Sequence, residues 1–216
     1  MERQLRQTRR SRVKRNHERG AYGREAVDAI LDATGLCHVA YLLDGAPAIV
    51  PTFHWREGDH VYWHGSSASR FLRQSAGTPV SLCASCLDGL VLARSAFHHS
   101  VNYRSAILYG EAFPVADADK EARLRAFLDG LYPGRWQSLR PITAKELKAT
   151  TVLGMAIDEG AAKVRTGMPV DDEEDYALPI WAGVLPLRRI AGKPQPDPRN
   201  LAGVETPRHV LDFDMD

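Results

Sequence analysis

Apolar and polar positions alternate over most of the interior of this chain, and a helical period replaces that pattern only in short stretches. Residues 24–34 carry Ala26, Val27, Ile30 and Leu31 on one face and meet Gly35, which predicts a short helix with a glycine stop. Residues 36–43 are apolar and end in Asp44-Gly45, a strong hairpin signal, and residues 47–55 answer them as the return strand. Glu57-Gly58-Asp59 turns the chain again into a strand at 60–64. A helix after Gly65-Ser66-Ser67 would carry Phe71 and Leu72 inward and stop near Gly77. Residues 79–86, an Asp88-Gly89 turn and residues 90–95 read as another hairpin, followed by a long strand at 101–115. Asp117 is placed to cap a helix bearing Leu124, Phe127, Leu128 and Leu131, and Thr143-Ala144-Lys145-Glu146 has capping-box spacing. Strands at 151–157 and 162–165 complete about seven. Hairpin-linked strands with inserted helices predict a mainly β, α+β fold, an antiparallel barrel rather than a doubly wound sheet.

Composition narrows the picture only a little. Of 216 residues, 44% are hydrophobic and 25% charged, the mix of a soluble globular chain. The longest uncharged stretch, residues 74–87, is shorter than the roughly 18 residues a spanning helix needs. Three cysteines argue against a disulfide framework and for a reducing, cytoplasmic setting. The net charge of +1 hides an uneven placement. Residues 1–19 hold eight Lys or Arg against two Glu, an excess of +6, and the remaining residues sum to −5. A solvated, flexible basic arm is the expectation, because no aromatic residue interleaves the arginines as a nucleic-acid stacking platform would require. The acidic run at 171–175 reads as an exposed loop. Residues 191–216 read as an extended tail, with Pro194, Pro196, Pro198 and Pro207 denying regular helix.

The strongest candidate for chemistry is Tyr62-Trp63-His64-Gly65-Ser66-Ser67-Ala68-Ser69-Arg70. A strand runs into a glycine, three serines and an arginine in the first turn of a helix. Hydroxyl donors, open backbone N–H groups and a guanidinium together suit a phosphate dianion. The alternative is an ordinary serine N-cap, which needs only one of those hydroxyls. The loop is not a Walker loop, since no Gly-Lys-Ser/Thr follows. A second polar cluster, residues 98–105, interrupts apolar sequence. Strand alternation would put Asn102 and Arg104 on one face and Tyr103 and Ser105 on the other. It reads either as a ligand site or as a barrel mouth where polar side chains meet water. Cys83-Ala84-Ser85-Cys86 has CxxC spacing, but within a strand that spacing puts the two thiols on opposite faces, so buried free thiols are expected rather than a metal site. A hydrolytic triad is disfavoured, because no Gly-x-Ser-x-Gly elbow exists.

Four segments in order, residues 64–70, Asp88-Gly89-Leu90-Val91-Leu92-Ala93-Arg94-Ser95, Asn102-Tyr103-Arg104-Ser105 and residues 179–186 (PIWAGVLP), together resemble the pyridoxamine 5′-phosphate oxidase-related flavin-nucleotide-binding proteins. The 5-nitroimidazole-resistance reductases lie within that wider group. The resemblance covers roughly residues 13–190, within a barrel domain placed at 20–190. It implies a split β-barrel that binds FMN in a groove between two subunits, hence a homodimer. It puts the FMN phosphate at Ser66, Ser67, Ser69 and Arg70, with His64 close to the flavin ring. Backbone groups around Pro51 and Thr52 would face the ring edge. Asn102, Arg104 and Ser105 fall on the flavin-contacting strand. Lys163, Arg165 and Trp181 match a late segment that approaches from the partner subunit, where the indole would wall the ring or sit in the core. Pyridoxamine phosphate oxidase itself holds its substrate with a C-terminal arginine- and histidine-bearing segment. Here only Pro186-Leu187-Arg188-Arg189 precedes the tail, which counts against vitamin B6 oxidation.

The resulting expectation is a flavin-dependent oxidoreductase. A nicotinamide (NAD(P)H) or other donor would reduce FMN, and the flavin would pass electrons to a small-molecule acceptor, with His64 as proton or hydrogen-bond donor. The second expectation is a non-catalytic flavin store or sensor with the same pocket. A third, nucleic-acid binding through residues 1–19, is weaker, and no membrane association is expected.

Overall fold

The computed structural model describes residues 3–213. In chain order its elements are β1 (Gly20–Ala21), α1 (Arg24–Asp32), β2 (Leu36–Leu43), β3 (Ala46–Glu57), β4 (His60–Ser66), α2 (Arg70–Ser75), β5 (Thr78–Leu92), β6 (Ser100–Pro114), α3 (Lys120–Leu131), α4 (Ala144–Ala149), β7 (Thr150–Ala156), β8 (Glu159–Arg165), β9 (Gly183–Pro186) and α5 (Arg208–Leu211). The strands form one antiparallel sheet ordered β1-β8-β6-β7-β4-β3-β2-β5-β9, and a β5–β6 pairing folds it into a split barrel. No described helix is long and apolar enough to cross a membrane.

Strand register turns the sequence alternation into a lined interior. One inward row runs Val50–Val39–Leu82–Leu108–Gly160 across β3, β2, β5, β6 and β8, and the next runs Thr52–Cys37–Ala84–Ala106–Ala162. Val39, Leu82, Leu108, Cys37, Ala84, Ala106 and Ala162 are wholly buried. Helix α1 presents Val27, Ile30 and Leu31 to the same core, and each such side chain contributes about 1.5–3 kcal/mol through removal from water. A second, aromatic core lies on the opposite side of β4 and β7. There Trp55, Tyr62 and Val152 pack against Leu124 and Phe127 of α3 and Leu147 of α4.

The Asp44-Gly45 hairpin forms with positive φ at both residues, 51° and 81°, as a two-residue turn matched to strand twist requires. Thr143 and Glu146 make the reciprocal bonds of a capping box at the start of α4. Cys83 and Cys86 do lie on opposite faces of β5.

Several expectations need correction. Asp88-Gly89 makes no turn: β5 runs through it to Leu92 with a bulge between Leu87 and Gly89. There the Asp88 carboxylate is taken by Arg104. A Cβ on Gly89 would meet Val184 Cγ1 at 3.1 Å and the Leu185 carbonyl at 3.2 Å, so glycine serves the close approach of β9 rather than a reversal. Asp119, not Asp117, precedes α3, and Asp117 pairs with Lys120 instead. Within the acidic run, Asp171 is buried against the Arg94 backbone N–H and guanidinium. The tail contains the one-turn helix α5 after Pro207 and returns against Tyr132 and Arg135. Residues 1, 2 and 214–216 of the expected arm and tail lie outside the described residues.

The largest departure is the basic N-terminal segment, which lies along the barrel instead of standing free. Leu5 inserts into the main core at 4% exposure, Gln4 bridges Gly23, and Arg6 bridges Glu159 in parallel. The Glu159 carboxylate, 3% exposed, accepts from Arg10 Nε at 2.7 Å and Nη2 at 2.8 Å, from Arg6 Nη2 at 3.2 Å and from Thr8 Oγ1. Those donors hold its pKa down to about 2. A buried carboxylate needs such partners. Two of the arginines that made the segment look solvated are its anchors.

Candidate functional site

The first group of candidate residues sits where β4 gives way to α2. Ser66 pairs with Thr150 at the end of β4, after which the chain turns within a few residues. Ser67 N–H donates to the Ala149 carbonyl at 2.8 Å and Ser69 N–H to the Ser66 carbonyl at 2.9 Å. The Ser66 hydroxyl oxygen accepts from Ala68 N–H at 3.2 Å, and that of Ser69 caps Leu72 N–H at 3.5 Å. Ser69 is thus the plain N-cap. Ser66 and Ser67 are exposed, and each serine keeps its own O–H to donate. Arg70 is exposed and forms no ion pair among the described residues. Hydroxyl donors beside an uncommitted guanidinium suit a phosphate group.

His64 precedes this loop on the face of β4 turned toward α3. Its ring lies 5.0 Å from Phe127 and 5.8 Å from Trp55, centroid to centroid. Nδ1 is buried without a hydrogen-bond partner. Burial lowers the imidazole pKa, so the ring is neutral at neutral pH and offers either a donor or an acceptor, according to tautomer. On the neighbouring strand, Pro51 is exposed on the outer face while Thr52, paired with buried Cys37, falls in an inward-facing row. Only their backbone is shared by one location.

The second group gathers on β6 and β8. Asn102 and Arg104 share a face, as alternation predicts. Asn102 Nδ2 donates to the Gly167 carbonyl at 3.1 Å, and its Oδ1 accepts from Arg165. Arg104 is spent in a two-point pair with Asp88 at 3.0 and 2.8 Å. Ser105 Oγ donates to the Lys163 carbonyl at 3.3 Å, and Lys163 Nζ donates to the Arg15 carbonyl at 3.3 Å. Trp181 is no core residue: it is 70% exposed, and its indole lies where a Cβ on Gly183 would stand.

One row runs Pro51–His38–Cys83–Ile107–Ala161 across β3, β2, β5, β6 and β8. Four strand spacings separate its ends, roughly 19 Å along the sheet. Leu36, Ile49, Phe53 and Ile107 are exposed on these strands at 39–63%. Monomers rarely leave such an apolar surface open to water.

Sequence reading missed three features. Phe127 packs on His64 from another element, and nothing local signals that. Asp88 holds Arg104, although its dipeptide reads as a turn. Segment 10–15 lies over Ser105 and Lys163, and only its charge was visible in the sequence.

The family model for pyridoxamine 5′-phosphate oxidase matches residues 23–164. Among solved structures, the flavocytochrome Anf3 from Azotobacter vinelandii is 51% identical, with 95% of this chain and 97% of that one covered and a TM-score of 0.92. An FAD and heme binding protein from Mycobacterium smegmatis is 40% identical over 91% of this chain and 98% of its own, with a TM-score of 0.88. A structure described as a 5-nitroimidazole antibiotic resistance protein from Bacteroides thetaiotaomicron shares the fold, at 18% identity and a TM-score of 0.55 over 67% of this chain and 86% of that one. Among curated proteins none matches the chain. With the family match running from α1 through most of β8 and two relatives aligned over nearly their whole length, the chain belongs to the pyridoxamine 5′-phosphate oxidase family.

Proposed function

We propose that this protein is a homodimeric flavin-binding electron-transfer protein whose flavin is anchored through a phosphate at Ser66, Ser67, Ser69 and Arg70. The observation that carries the reading is the pairing of exposed serine hydroxyls with an ion-pair-free arginine at a strand end. It occurs in a chain 51% identical to a flavocytochrome and 40% identical to an FAD and heme binding protein. The sequence resemblance implied FMN, while the Mycobacterium smegmatis relative binds FAD. Both carry the same ring system and the same first phosphate. The exposed apolar side chains Leu36, Ile49, Phe53 and Ile107 on β2, β3 and β6 serve as the self-complementary contact of a two-fold dimer.

A bound flavin would supply the redox chemistry, taking a hydride or electrons from a nicotinamide or other donor for a small acceptor. The chain's own task is to hold and screen it. The serine hydroxyls and Arg70 fix the phosphate end. His64, neutral and with Nδ1 desolvated, sets a hydrogen-bonding group beside the ring without adding charge. Trp181 supplies an exposed indole that can cover a ring face. A His64→Ala protein should keep its flavin content and lose turnover with NAD(P)H and an artificial acceptor. Unchanged turnover would remove His64 from the reaction. Failure of NAD(P)H or any other donor to bleach the bound flavin would favour the store or sensor instead.

Haem is the second group that the two relatives suggest, and one histidine fits it. His99 Nδ1 lies 2.9 Å from the Ser95 carbonyl, a bond that orients the ring and leaves Nε2 for a metal. Phe97, on the same loop, is 90% exposed. The Asn102–Gly167 and Arg94–Asp171 bonds lay the neighbouring segment alongside, and its Met168 and Val170 are 70% and 71% exposed. Such apolar surface beside an oriented imidazole suits a porphyrin. A His99→Ala protein should lose haem absorbance and retain flavin; full haem content would exclude His99 as its ligand.

A further inference from the structure

We propose that Phe127 of α3 is a positioning residue for His64, holding the imidazole in place and shutting water out from around it. The inference rests on the flavin reading above and adds to it the residue that prepares its hydrogen-bonding group. Phe127 stands against three rings on that side of the sheet. Its centroid lies 5.0 Å from His64, 4.9 Å from Trp55 and 5.5 Å from Phe53. Trp55 approaches the imidazole from β3 at 5.8 Å, and wholly buried Val152 is its register partner on β7. The two strands wall His64 on either side, and α3 supplies the cover.

Glu57 holds that cover down. One of its carboxylate oxygens accepts from Trp55 Nε1 at 2.8 Å and the other from Arg123 Nη1. The Arg123 guanidinium also lies over the Tyr62 ring, 5.3 Å from its centroid. Arg123 and Phe127 are four residues apart in α3, so they share one helix face. A single carboxylate on β3 therefore fixes both aromatic neighbours of His64.

Packing alone does not account for the contact. An apolar ring gains most by covering an apolar neighbour, yet Phe127 closes over an imidazole whose Nδ1 is buried with no hydrogen-bond partner among the described residues. Burying such an atom costs stability and calls for another explanation. The charged groups on the surrounding elements are committed elsewhere: Glu57 of β3 to Arg123, Asp129 of α3 to Arg125, Glu146 of α4 to Arg140. His60 of β4 lies against Phe113. Burial is accordingly the cause of the lowered His64 pKa, with no charge contributing to it. Uncovered, the imidazole would titrate near its ordinary 6.5 and carry a positive charge below that pH. Under Phe127 it stays neutral and keeps one nitrogen free for a partner at the site.

The test is an NMR titration of the histidine rings in the purified full-length protein, with the His64 signal assigned by its loss in His64→Gln. It is run on the parent, Phe127→Ala, Phe127→Leu and Arg123→Met, and paired with the pH profile of flavin bleaching by NADPH. The expected result is a His64 midpoint below 6.5 in the parent that rises to about 6.5 in Phe127→Ala. Phe127→Leu, which keeps an apolar cover, should restore most of the difference, and Arg123→Met should fall between. The acid limb of the bleaching profile should move in step. A His64 midpoint unchanged in Phe127→Ala, or raised as far by Phe127→Leu, would overturn the inference. Should Phe127→Ala fail to fold, an unshifted midpoint in Arg123→Met would overturn it instead. A midpoint that moves while bleaching keeps its profile would remove both residues from the reaction and leave flavin binding at the loop untouched. A parent that holds no flavin sinks the flavin reading, and with it the part of Phe127 in the reaction, while the titration still reports the contact.

Discussion

The β4–α2 loop and the N-terminal segment both gather cations and hydroxyls, but they are held by opposite means. The loop is nearly self-contained: its serine hydroxyls accept from backbone groups within three residues, and the Ser66–Thr150 pairing with the bond from Ser67 to Ala149 ties it to the end of α4 and the start of β7. The segment has an apolar anchor, Leu5, and a buried carboxylate, Glu159, roughly 150 positions away in the chain, which gathers Arg6, Thr8 and Arg10. Arg3 reaches Asp59, and the Leu5 and Arg6 N–H groups donate to the Tyr22 and Asp158 carbonyls. Local closure makes the first robust and readable from sequence. Long-range closure makes the second dependent on partners far along the chain, the buried Glu159 foremost among them. Each can therefore be broken without the other.

Breaking the long-range anchor should have the largest effect. Glu159→Ala leaves Arg10 without its acceptor and Arg6 with Asp158 alone, and because both guanidiniums stay more than half exposed the loss is that of the charged hydrogen bonds, about 2–3 kcal/mol. Denaturant unfolding should show that loss, and trypsin should cut between Arg9 and Arg15 in native buffer. A variant that resists trypsin as well as the parent would contradict the anchoring role.

The pH dependence separates the barrel interior from the segment. His54 is 2% exposed in β3 with Nε2 3.2 Å from the Leu31 carbonyl, and burial lowers its pKa to about 4. A lowered histidine is stabilising in its neutral form. Its contribution is therefore complete above pH 6.5 and is lost as pH falls toward 4, by about 3 kcal/mol at most. Glu159, lowered to about 2, contributes fully above 4.5 and loses that contribution as pH falls through 2. Between pH 7 and 5 the unfolding midpoint should fall while trypsin resistance of the segment holds. His54→Asn should flatten the first trend, and a midpoint insensitive to pH in the parent would sink it.

The smallest effect belongs to the loop. Ser69→Ala removes an N-cap and should cost about 1 kcal/mol. It should weaken flavin binding less than Arg70→Ala does, because Ser69 already spends its oxygen on Leu72. Equal loss in calorimetry would mean that Ser69 contributes to the anion as well as to the helix.

How far the sequence speaks follows the same division. The β2–β3 hairpin, the α4 capping box and the Phe71–Leu72 face of α2 were legible because each is decided by residues a few positions apart. Asp44-Gly45 and Asp88-Gly89 read alike, yet only the first turns. At Asp88 the decision belongs to Arg104 and to β9, which arrive from positions 104 and 183–186. Residues 1–19 failed for the same reason, since eight positive charges look solvated until a buried Glu159 is placed beside two of them. In the proposed site, the serine–arginine loop could be singled out in the sequence because its residues are contiguous. The neutral state of His64 could not, because Phe127 and Trp55 reach it from other elements.

The central claim is that a flavin is held at the serine–arginine loop. Its most direct test is the visible absorbance spectrum of the purified full-length protein, paired with mass analysis of whatever denaturation releases, for the parent and for Arg70→Ala. The account predicts flavin bands and a flavin mass in the parent, with flavin content strongly reduced in the variant. A colourless parent that also fails to take up added FMN or FAD would contradict it.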